Sequence, residues 1–241
     1  MPARYDGNAE WYDRTFGRYG ELDREGSSSA HLARLLGPGG GHCLDVACGT
    51  GLHFEAVAST GRTVVGVDLS RDQLRIAGRR TGAVVRGDAG RLPFVSGRFP
   101  AAVCTYLHTD IEDVRPVFAE VARVLRPGGR FVYLGVHPCF RGYYVDVSSP
   151  DRRVVWPGYW RAGWHAKLGE PQSELRRRVG ARHSTLSELL GALLASDLRL
   201  VRVEEGDESE PFADRIALVA VREAERSDQR GDVRPRQAAA H

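Results

Sequence analysis

The sequence predicts an α/β fold built on a seven-stranded, mostly parallel, doubly wound sheet. Short apolar segments of strand length alternate with helical segments along most of the chain, and this alternation is typical of a parallel sheet covered by helices on both faces. The last two strand segments, residues 198–205 and 215–222, are separated only by the acidic stretch GDESEPFAD. This spacing predicts a hairpin, and therefore an antiparallel last strand at the edge of the sheet.

The individual elements follow from local patterns. A helix is predicted from Ala9 to Arg18, and a second helix follows the capping residues Ser27–Ser29 and ends at Gly37. Apolar runs predict strands over residues 42–47, 63–69, 83–89, 101–108 and 130–136, with a turn at RPGG before the fifth. Capping or periodicity predicts helices over residues 50–59, 71–79, 111–125 and 186–196. Residues 137–183 break this rhythm and are too many for an ordinary loop, which indicates a lid or an inserted subdomain.

The composition is that of an ordinary globular protein, with 42% hydrophobic residues, 27% charged residues and a formal net charge of +3. That charge is too small to argue for a nucleic-acid partner. The four cysteines, Cys43, Cys48, Cys104 and Cys139, have no C-x-x-C spacing, so we expect neither a disulfide framework nor a metal site. No signal peptide and no run of about 18 apolar residues is present. We therefore expect a cytoplasmic protein with no membrane partner.

The motif with the clearest chemical meaning is DVACGTG, residues 45–51, which follows the first predicted strand and opens a helix. Glycines at such a turn let the backbone approach a ligand closely, and the amides of the helix start can face an anionic or polar group. A dinucleotide-binding loop requires a glycine or alanine three residues after Gly51, where this chain has Phe54. This difference argues against NAD or FAD. The alternative is a tight turn that binds no ligand.

Two acidic residues follow the next two strands. Asp68 ends the second strand, where a carboxylate can accept hydrogen bonds from ribose hydroxyls; alternatively, it only stabilises the start of the next helix. Asp88 follows the third strand, with Leu92-Pro93-Phe94 close behind. A carboxylate there can accept from an adenine amino group while an apolar side chain packs on the ring. A simple turn aspartate is the alternative interpretation of Asp88.

Together, these motifs resemble a class I S-adenosylmethionine-dependent methyltransferase. The resemblance is carried by LDVACGTG, VVGVDLS, RGDAGRLPF and VARVLRPGGRFVYLG. It covers roughly residues 8–136, returns for the last two strands, and is nearest to the branch of ubiquinone/menaquinone and small-molecule natural-product methyltransferases. It implies a Rossmann-like fold, S-adenosylmethionine as the cofactor and S-adenosylhomocysteine as the product. The irregular stretch after the fifth strand adds an aromatic-rich lid to this fold.

The resemblance also implies the cofactor contacts. The glycine loop wraps the methionine part, the acid after the second strand holds the ribose, and the acid after the third meets the adenine. The implied cofactor residues are Tyr12, Asp45, Ala47, Cys48, Gly49, Gly51, Asp68, Leu69, Asp88, Ala89 and Thr105. Tyr12 enters through the pattern YDGNAEWYD, and core packing is its alternative role. The chain departs from the commonest family pattern at Ala47, which replaces a glycine, and at Phe99-Pro100 before the fourth strand.

The acceptor side is expected at the end of the fourth strand, in CTYLHTDIED. His108 is the candidate general base, because the pKa of a histidine lies near neutrality; alternatively, it only orients the loop or caps the next helix. His137, after the fifth strand, is a second candidate base. Tyr106 and Thr109 are expected to position the acceptor. The acids of this segment, Asp110 among them, are expected at the start of the next helix.

Residues 137–184 are expected to determine the acceptor. Three of the four tryptophans lie inside this segment, within a span of nine residues. An aromatic cover over a pocket suits a flat or apolar acceptor. The alternative is a local core that folds the insert. The candidate acceptor residues are Phe140, Tyr143, Tyr144 and Trp160. We expect His165 and His183 to be structural or to face solvent, and Arg176–Arg178 to form a solvated helix face. The alternative for these arginines is that they bind an acidic group of the substrate.

These interpretations divide the chain into N-terminal helices covering the cofactor site (1–36), a cofactor-binding core (37–136), the substrate lid (137–184), a second core segment (185–222) and a disordered tail (223–241). The expected function is methyl transfer to an O, N or C nucleophile of a small aromatic or apolar metabolite, as in natural-product tailoring. A cofactor-binding protein that transfers no methyl group, either cyclase-like or an inactive partner, is the alternative. An RNA or protein methyltransferase is less favoured, because TYLH does not match the N/D-P-P-Y/F tetrad of RNA base enzymes. A homodimer is compatible with the sequence.

Overall fold

A seven-stranded sheet lies at the centre of the part of the chain that the structure, a computed structural model, describes: residues 3–17, 27–80, 83–165, 174–206 and 211–223. Its strands are β1 (His42–Val46), β2 (Thr63–Asp68), β3 (Ala83–Arg86), β4 (Phe99–Thr105), β5 (Leu125–Val136), β10 (Leu198–Glu205) and β11 (Arg215–Arg222). The insert adds the short strands β6 (Val145–Asp146), β7 (Val154–Val155), β8 (Gly163–His165) and β9 (Ala181–His183). The strand order β10-β11-β5-β4-β1-β2-β3, with only β11 antiparallel to its neighbours, confirms the predicted fold class.

Helices cover both faces of this sheet. They are α1 (Ala9–Phe16), α2 (Ser28–Leu36), α3 (Phe54–Ser59), α4 (Arg71–Ala77), α5 (Arg115–Val124), α6 (Glu174–Val179) and α7 (Leu186–Leu194), with a 3₁₀ turn over Leu107–Thr109. The predicted caps are confirmed: Ser27 accepts a hydrogen bond from the amide of Ala30, and Ser70 accepts one from the amide of Gln73. Within the described ranges, no helix combines the length and hydropathy needed to cross a bilayer. Arg18 and residues 224–241 of the expected tail lie outside the described residues.

The antiparallel strand β11 does not lie at the edge of the sheet, so this part of the prediction is wrong. β11 pairs with β5 on one side and with β10 on the other, and β10 is the edge strand. The burial of the two strands gives the reason. Five consecutive residues of β11 are buried, whereas most of β10 is exposed. A continuous apolar run belongs in the middle of a sheet, and RIALVAVR has one where LRLVRVEE does not.

Several observed boundaries of strands and helices differ from the predicted ones near the carboxyl end of β4. β4 stops at Thr105, because Tyr106 adopts a left-handed conformation with φ of 58° and the 3₁₀ turn follows. Helix α5 begins at Arg115, four residues later than predicted. The predicted RPGG turn is instead an irregularity within β5, where the register with β4 shifts. These changes place His108 on a turn rather than on a strand.

Two apolar layers hold the helices on the sheet. Phe118 of α5 and Leu189 of α7 pack with Phe131 and Tyr133 on one face. On the other face, α2 and α3 pack on the sheet through residues such as Leu32 and Phe54. Because both faces are covered in this way, the carboxyl ends of β1 to β5 are the edge at which a ligand can reach the backbone.

Candidate functional site

A cavity of about 1400 Å³ opens at the carboxyl ends of the parallel strands. It lies where the strand order reverses between β1 and β4, the position at which open α/β sheets bind ligands. Predicted cofactor residues form one end of the cavity: Tyr12, Ala47, Gly49, Asp68, Leu69, Asp88, Ala89 and Thr105. Three other predicted residues, Asp45, Cys48 and Gly51, lie behind this surface and are not part of the lining.

The glycine loop after β1 has a backbone that few residues adopt. Ala47, Gly49 and Gly51 all have positive φ angles, of 57°, 55° and 77°. A Cβ atom on Gly51 would lie 2.8 Å from the ring of Phe54, and a Cβ atom on Gly66 would lie 2.7 Å from the same ring. The buried phenyl ring of Phe54 therefore fills the space under the loop, and glycine is required on both sides of it.

Asp68 joins this loop to the start of the next helix. Its Oδ2 accepts a hydrogen bond from the amide of Gly49 at 2.9 Å, and its Oδ1 accepts one from the amide of Ser70 at 2.8 Å. Burial raises the pKa of Asp68, while the hydrogen bonds from Ser70 and Gly49 lower it. Each oxygen keeps a lone pair for a ligand, so this carboxylate can brace the loop and accept hydrogen bonds from ribose hydroxyls.

Asp45 is a buried carboxylate with unmet hydrogen-bonding capacity. Its side chain is 1% exposed, and neither carboxylate oxygen has a hydrogen-bond partner among the described residues. Burial, and then the charge of Asp68, raise the pKa of Asp45 to about 8. An uncompensated buried carboxyl is costly, and a cationic group of a ligand at this end of the cavity would offset that cost. The residues present therefore fit the ammonium and sulfonium groups of the expected cofactor.

The N-terminal segment covers the cofactor end. The Ser70 hydroxyl donates to Asp6 at 2.6 Å, and the amide of Gly7 donates to Asp72 at 2.7 Å. These bonds hold the segment against the start of α4 and place Tyr12 on the cavity, as predicted. Tyr5, which the sequence analysis did not single out, lies beside it with ring centroids 5.7 Å apart. Burial raises the pKa of Tyr12 well above its ordinary value, so the phenol stays neutral.

The turn after β4 forms the centre of the cavity. The Tyr106 hydroxyl lies 2.5 Å from the hydroxyl of Ser28, and Thr109 accepts a hydrogen bond from Arg176 at 2.8 Å. Arg176 also pairs with Asp110 at 2.7 Å. The structure contradicts two expectations here. Arg176 is largely buried in an ion pair and is not part of a solvated helix face. Asp110 lies on the turn before α5, where it binds Arg176, and not at the start of that helix. Helix α6 is thus anchored to the turn.

His108 lines the cavity but is poorly suited to be a general base. Its Nδ1 lies 2.5 Å from the Tyr133 hydroxyl, whose oxygen also accepts the backbone amide of His108. Because the tyrosine oxygen already accepts the backbone amide, we assign the tyrosine proton to the bond with Nδ1, which puts the ring proton on Nε2. Burial, followed by the charge of Arg176, lowers the pKa of His108 to about 3. This environment favours a neutral imidazole that donates a hydrogen bond.

The second predicted base, His137, does not reach the cavity. Its Nε2 lies 2.7 Å from the Glu205 carboxylate, and its Nδ1 accepts a hydrogen bond from the amide of Cys139. Both ring nitrogens are occupied, so the geometry supports a structural role for this residue.

The predicted aromatic acceptor residues are outside the cavity lining as well. Tyr143 and Tyr144 pack around His183 with ring centroids 5.8 and 5.0 Å from it, and the Tyr143 hydroxyl donates to the carbonyl of Gly158. Trp160 is 81% exposed, and Phe140 packs on the ring of His137. Tyr143 and Tyr144 therefore contribute to a local core of the insert, the alternative raised by the sequence, whereas Trp160 does not.

The sequence analysis expected His183 to be structural or to face solvent, and did not consider it as a residue of the cavity. It is buried, it lines the cavity, and its Nε2 lies 2.7 Å from the carbonyl oxygen of Tyr159. Because a carbonyl only accepts, Nε2 carries the proton and Nδ1 has the free lone pair. Nδ1 makes no hydrogen bond to any residue in the described ranges. Burial lowers the pKa of His183 below its ordinary value, so the ring is neutral near pH 7.

Comparisons with known proteins identify the family. Residues 44–133 match the family model described as a methyltransferase domain. The demethylmenaquinone methyltransferase of Thermobifida fusca is 31% identical over 179 residues, which are 71% of this chain and 70% of the relative. The chain belongs to the class I S-adenosylmethionine-dependent methyltransferases. It takes its methyl group from S-adenosylmethionine, as the resemblance implied.

Other relatives of the methyltransferase agree with this assignment. The demethylmenaquinone methyltransferase of Symbiobacterium thermophilum is 33% identical, covering 65% of this chain and 64% of the relative. The ubiquinone/menaquinone biosynthesis C-methyltransferase of Desulfotalea psychrophila is 35% identical over 135 residues, covering 52% and 49%. This chain thus spans between about half and 70% of the length of these relatives. A crystal structure of an S-adenosylmethionine-dependent methyltransferase from Mesorhizobium loti superposes with a TM-score of 0.67 at 25% identity, covering 80% of this chain and 96% of that one.

The assignment of the ribose site to Asp68 predicts a binding defect. Asp68→Ala should weaken the binding of S-adenosylhomocysteine about a hundredfold or more, because two hydrogen bonds to a charged group contribute about 1.5–3 kcal/mol each. Isothermal titration calorimetry measures this change directly. The matched control is Asp151→Ala, since Asp151 is exposed and lies outside the cavity. An affinity equal to that of the control would remove Asp68 from the cofactor site.

The raised pKa of Asp45 predicts a specific pH dependence of stability. The folded protein keeps this proton up to about pH 8, whereas an unfolded aspartate loses it near about pH 3.9. Protonation of Asp45 therefore stabilises the fold fully below about pH 4, and this contribution is lost as the pH rises towards 8. Asp45→Asn does not titrate. Relative to wild type, its free energy of unfolding should increase with pH in this window, by up to about 1.4 kcal/mol per unit. Urea unfolding of both proteins measures the difference; a constant difference would contradict the assigned pKa.

Proposed function

We propose that the methyltransferase acts on a small metabolite with an aromatic or apolar body. The observation that carries this proposal is the continuity of the cavity. The end formed by Gly49, Asp68 and Asp88 leads without interruption to Tyr106 and His108, and from there to the insert. Methyl transfer requires the nucleophile, the methyl carbon and the sulfur to be held in line at close contact, and a single continuous cavity can hold both reactants in this way.

The walls beyond His108 support an acceptor with an apolar body. The insert contributes Pro138, Val145, Val147 and Pro150 to the lining, and such surfaces bind rings or hydrocarbon by excluding water. The names of the relatives, demethylmenaquinone and ubiquinone/menaquinone methyltransferases, point to quinone biosynthesis as one role for an acceptor of this class. Natural-product tailoring stays a prediction from the resemblance. The relatives' names do not support the cyclase-like or inactive alternative.

Two histidines supply complementary hydrogen-bonding groups. His108 presents Nε2–H, which can donate to an acceptor oxygen and orient it, and His183 presents the Nδ1 lone pair. When the cofactor is bound it supplies the methyl group: the nucleophile–methyl bond forms, and the sulfur–methyl bond breaks with its electron pair passing to sulfur. A hydroxyl acceptor must also lose a proton, and His183 Nδ1 can take it. In this proposal the base is therefore His183, and His108 is a positioning residue.

An acceptor screen tests the proposed function. We expect purified protein with S-adenosylmethionine to methylate at least one member of a panel of catechols, hydroxybenzoates and reduced naphthoquinones. Release of S-adenosylhomocysteine and the mass of the product measure the reaction. Methylation of the naphthoquinols alone would favour quinone biosynthesis. Tight cofactor binding without methylation of any member would contradict the proposed acceptor class.

The role of His183 predicts a kinetic defect that leaves the cofactor site intact. His183→Gln keeps a donor for the Tyr159 carbonyl but removes the basic nitrogen. It should lower kcat for a phenolic acceptor about 10²–10⁴-fold and leave the affinity for S-adenosylhomocysteine unchanged. The wild-type rate should fall as the pH drops through the lowered pKa of His183, and the variant should lose this limb. His165→Gln is the control, since His165 stacks on Tyr143 outside the cavity. Equal kcat values in the two variants would exclude His183 as the base.

A further inference from the structure

The charged residues that line the cavity are unevenly distributed, with arginines in excess at the end away from the glycine loop. The cofactor end has the carboxylates of Asp68 and Asp88, with Asp45 buried behind them. The opposite end, formed by the insert and the residues that precede β11, has the guanidinium groups of Arg141 and Arg153. The acidic end matches a cofactor with a sulfonium and an ammonium group. None of the ligand groups assigned so far has a negative charge that would match the basic end.

Arg153 is the central residue of the basic end. Its side chain is 10% exposed, its Nη2 pairs with Asp214 at 3.0 Å, and its Nη1 donates to the carbonyl of Ser149 at 2.7 Å. Its guanidinium carbon lies 4.1 Å from the centre of the Phe212 ring. Its Nε is buried and has no hydrogen-bond partner in the described part of the chain. Arg141, 40% exposed, contacts the same carboxylate at 3.3 Å. One aspartate is thus shared by two arginines.

Arg182 adds a third positive charge to the lining. Its guanidinium donates to the Ser184 hydroxyl and to the carbonyl of His183, and its Nε is buried without a partner. It forms no ion pair within the described ranges, whereas Arg176 is already neutralised by Asp110. Arg141 and Arg153 therefore share Asp214 as their one ion-pair partner among the described residues. Asp146 and Asp113 interact electrostatically with Arg153 and Arg182 but lie outside the cavity lining, so arginines outnumber carboxylates in the lining at this end.

We propose that the methyl acceptor has an anionic group, a carboxylate or a phosphate, that binds to Arg153 and Arg141 while its apolar body lies against the insert. Arg182 adds positive potential beside His108 and His183. This inference rests on the proposed function in one respect: it takes the end of the cavity near Arg141 and Arg153 as the place where the acceptor binds. Charge-assisted hydrogen bonds to guanidinium groups are about twice as strong as neutral ones, and an anion offsets the cost of partly buried, unpaired donors. A neutral quinone would gain neither the charge-assisted hydrogen bonds nor the offset of the buried donors. The proposed substrate class therefore differs from that of an enzyme that methylates only quinones.

Binding to the protein saturated with S-adenosylhomocysteine tests the proposal without any turnover. Calorimetry compares three ligands of similar shape: 4-hydroxybenzoate, 4-hydroxyphenyl phosphate and the neutral 4-hydroxybenzyl alcohol. We expect at least one anion to bind about tenfold more tightly than the alcohol. The preferred anion identifies the group as a carboxylate or a phosphate. Arg153→Met should abolish this preference and leave the affinity for S-adenosylhomocysteine unchanged.

The controls separate binding from folding. Arg152→Met changes the exposed neighbouring arginine, which lies outside the cavity, and should keep the preference. If Arg153→Met does not fold, Arg141→Met, at the more exposed arginine, should reduce the preference instead. The proposal would be overturned if the anions bind no better than the alcohol. It would also be overturned if a folded Arg153 or Arg141 variant keeps the same preference for anions. A clear anion preference without methylation in the acceptor screen would uphold the anionic site and count against the proposed reaction.

Discussion

The hydrogen bonds that Asp68 accepts from the amides of Gly49 and Ser70 are the interaction on which the site depends. They connect the loop after β1 with the loop after β2, and so fix a backbone in which even Ala47 adopts a positive φ angle, at a cost of about 1–2 kcal/mol. Burial, and then the charge of the same carboxylate, raise the pKa of Asp45. One side chain thus shapes the loop and also contributes to the electrostatics of the cofactor end.

The cover of the cavity depends on ion pairs rather than on aromatic rings. Arg176 of α6 binds Asp110 on the turn after β4, and Arg153 of the insert binds Asp214 before β11. Both pairs join residues more than 60 positions apart in the sequence. Since ion pairs are directional and partly buried here, they hold the insert in one orientation. The tyrosines of the insert pack on one another and give it a core of its own.

The parts of the site that could be predicted from sequence are those encoded within a few residues. The spacing around Gly49 and the acid at the end of β2 define local geometry, so their positions follow from the strand and helix on either side. The orientation of His183 and Arg153 depends on two-residue and three-residue strands in the insert, which have no periodicity to detect. The interior position of β11, between β10 and β5, was indicated locally by the unbroken apolar run of its sequence. The short connection to β10 indicated a hairpin correctly but did not indicate which of the two strands lies inside.

The central position of β11 also has a consequence for biosynthesis. A ribosome makes β10 before β11, yet β11 must enter between β5 and β10. Until it does, β5 offers an unpaired row of amides and carbonyls flanked by apolar side chains, a surface to which strands of other chains can add. The nascent protein therefore leaves this apolar edge of β5 unpaired through the synthesis of the insert, α7 and β10. A chaperone that shields apolar strands would act during this interval.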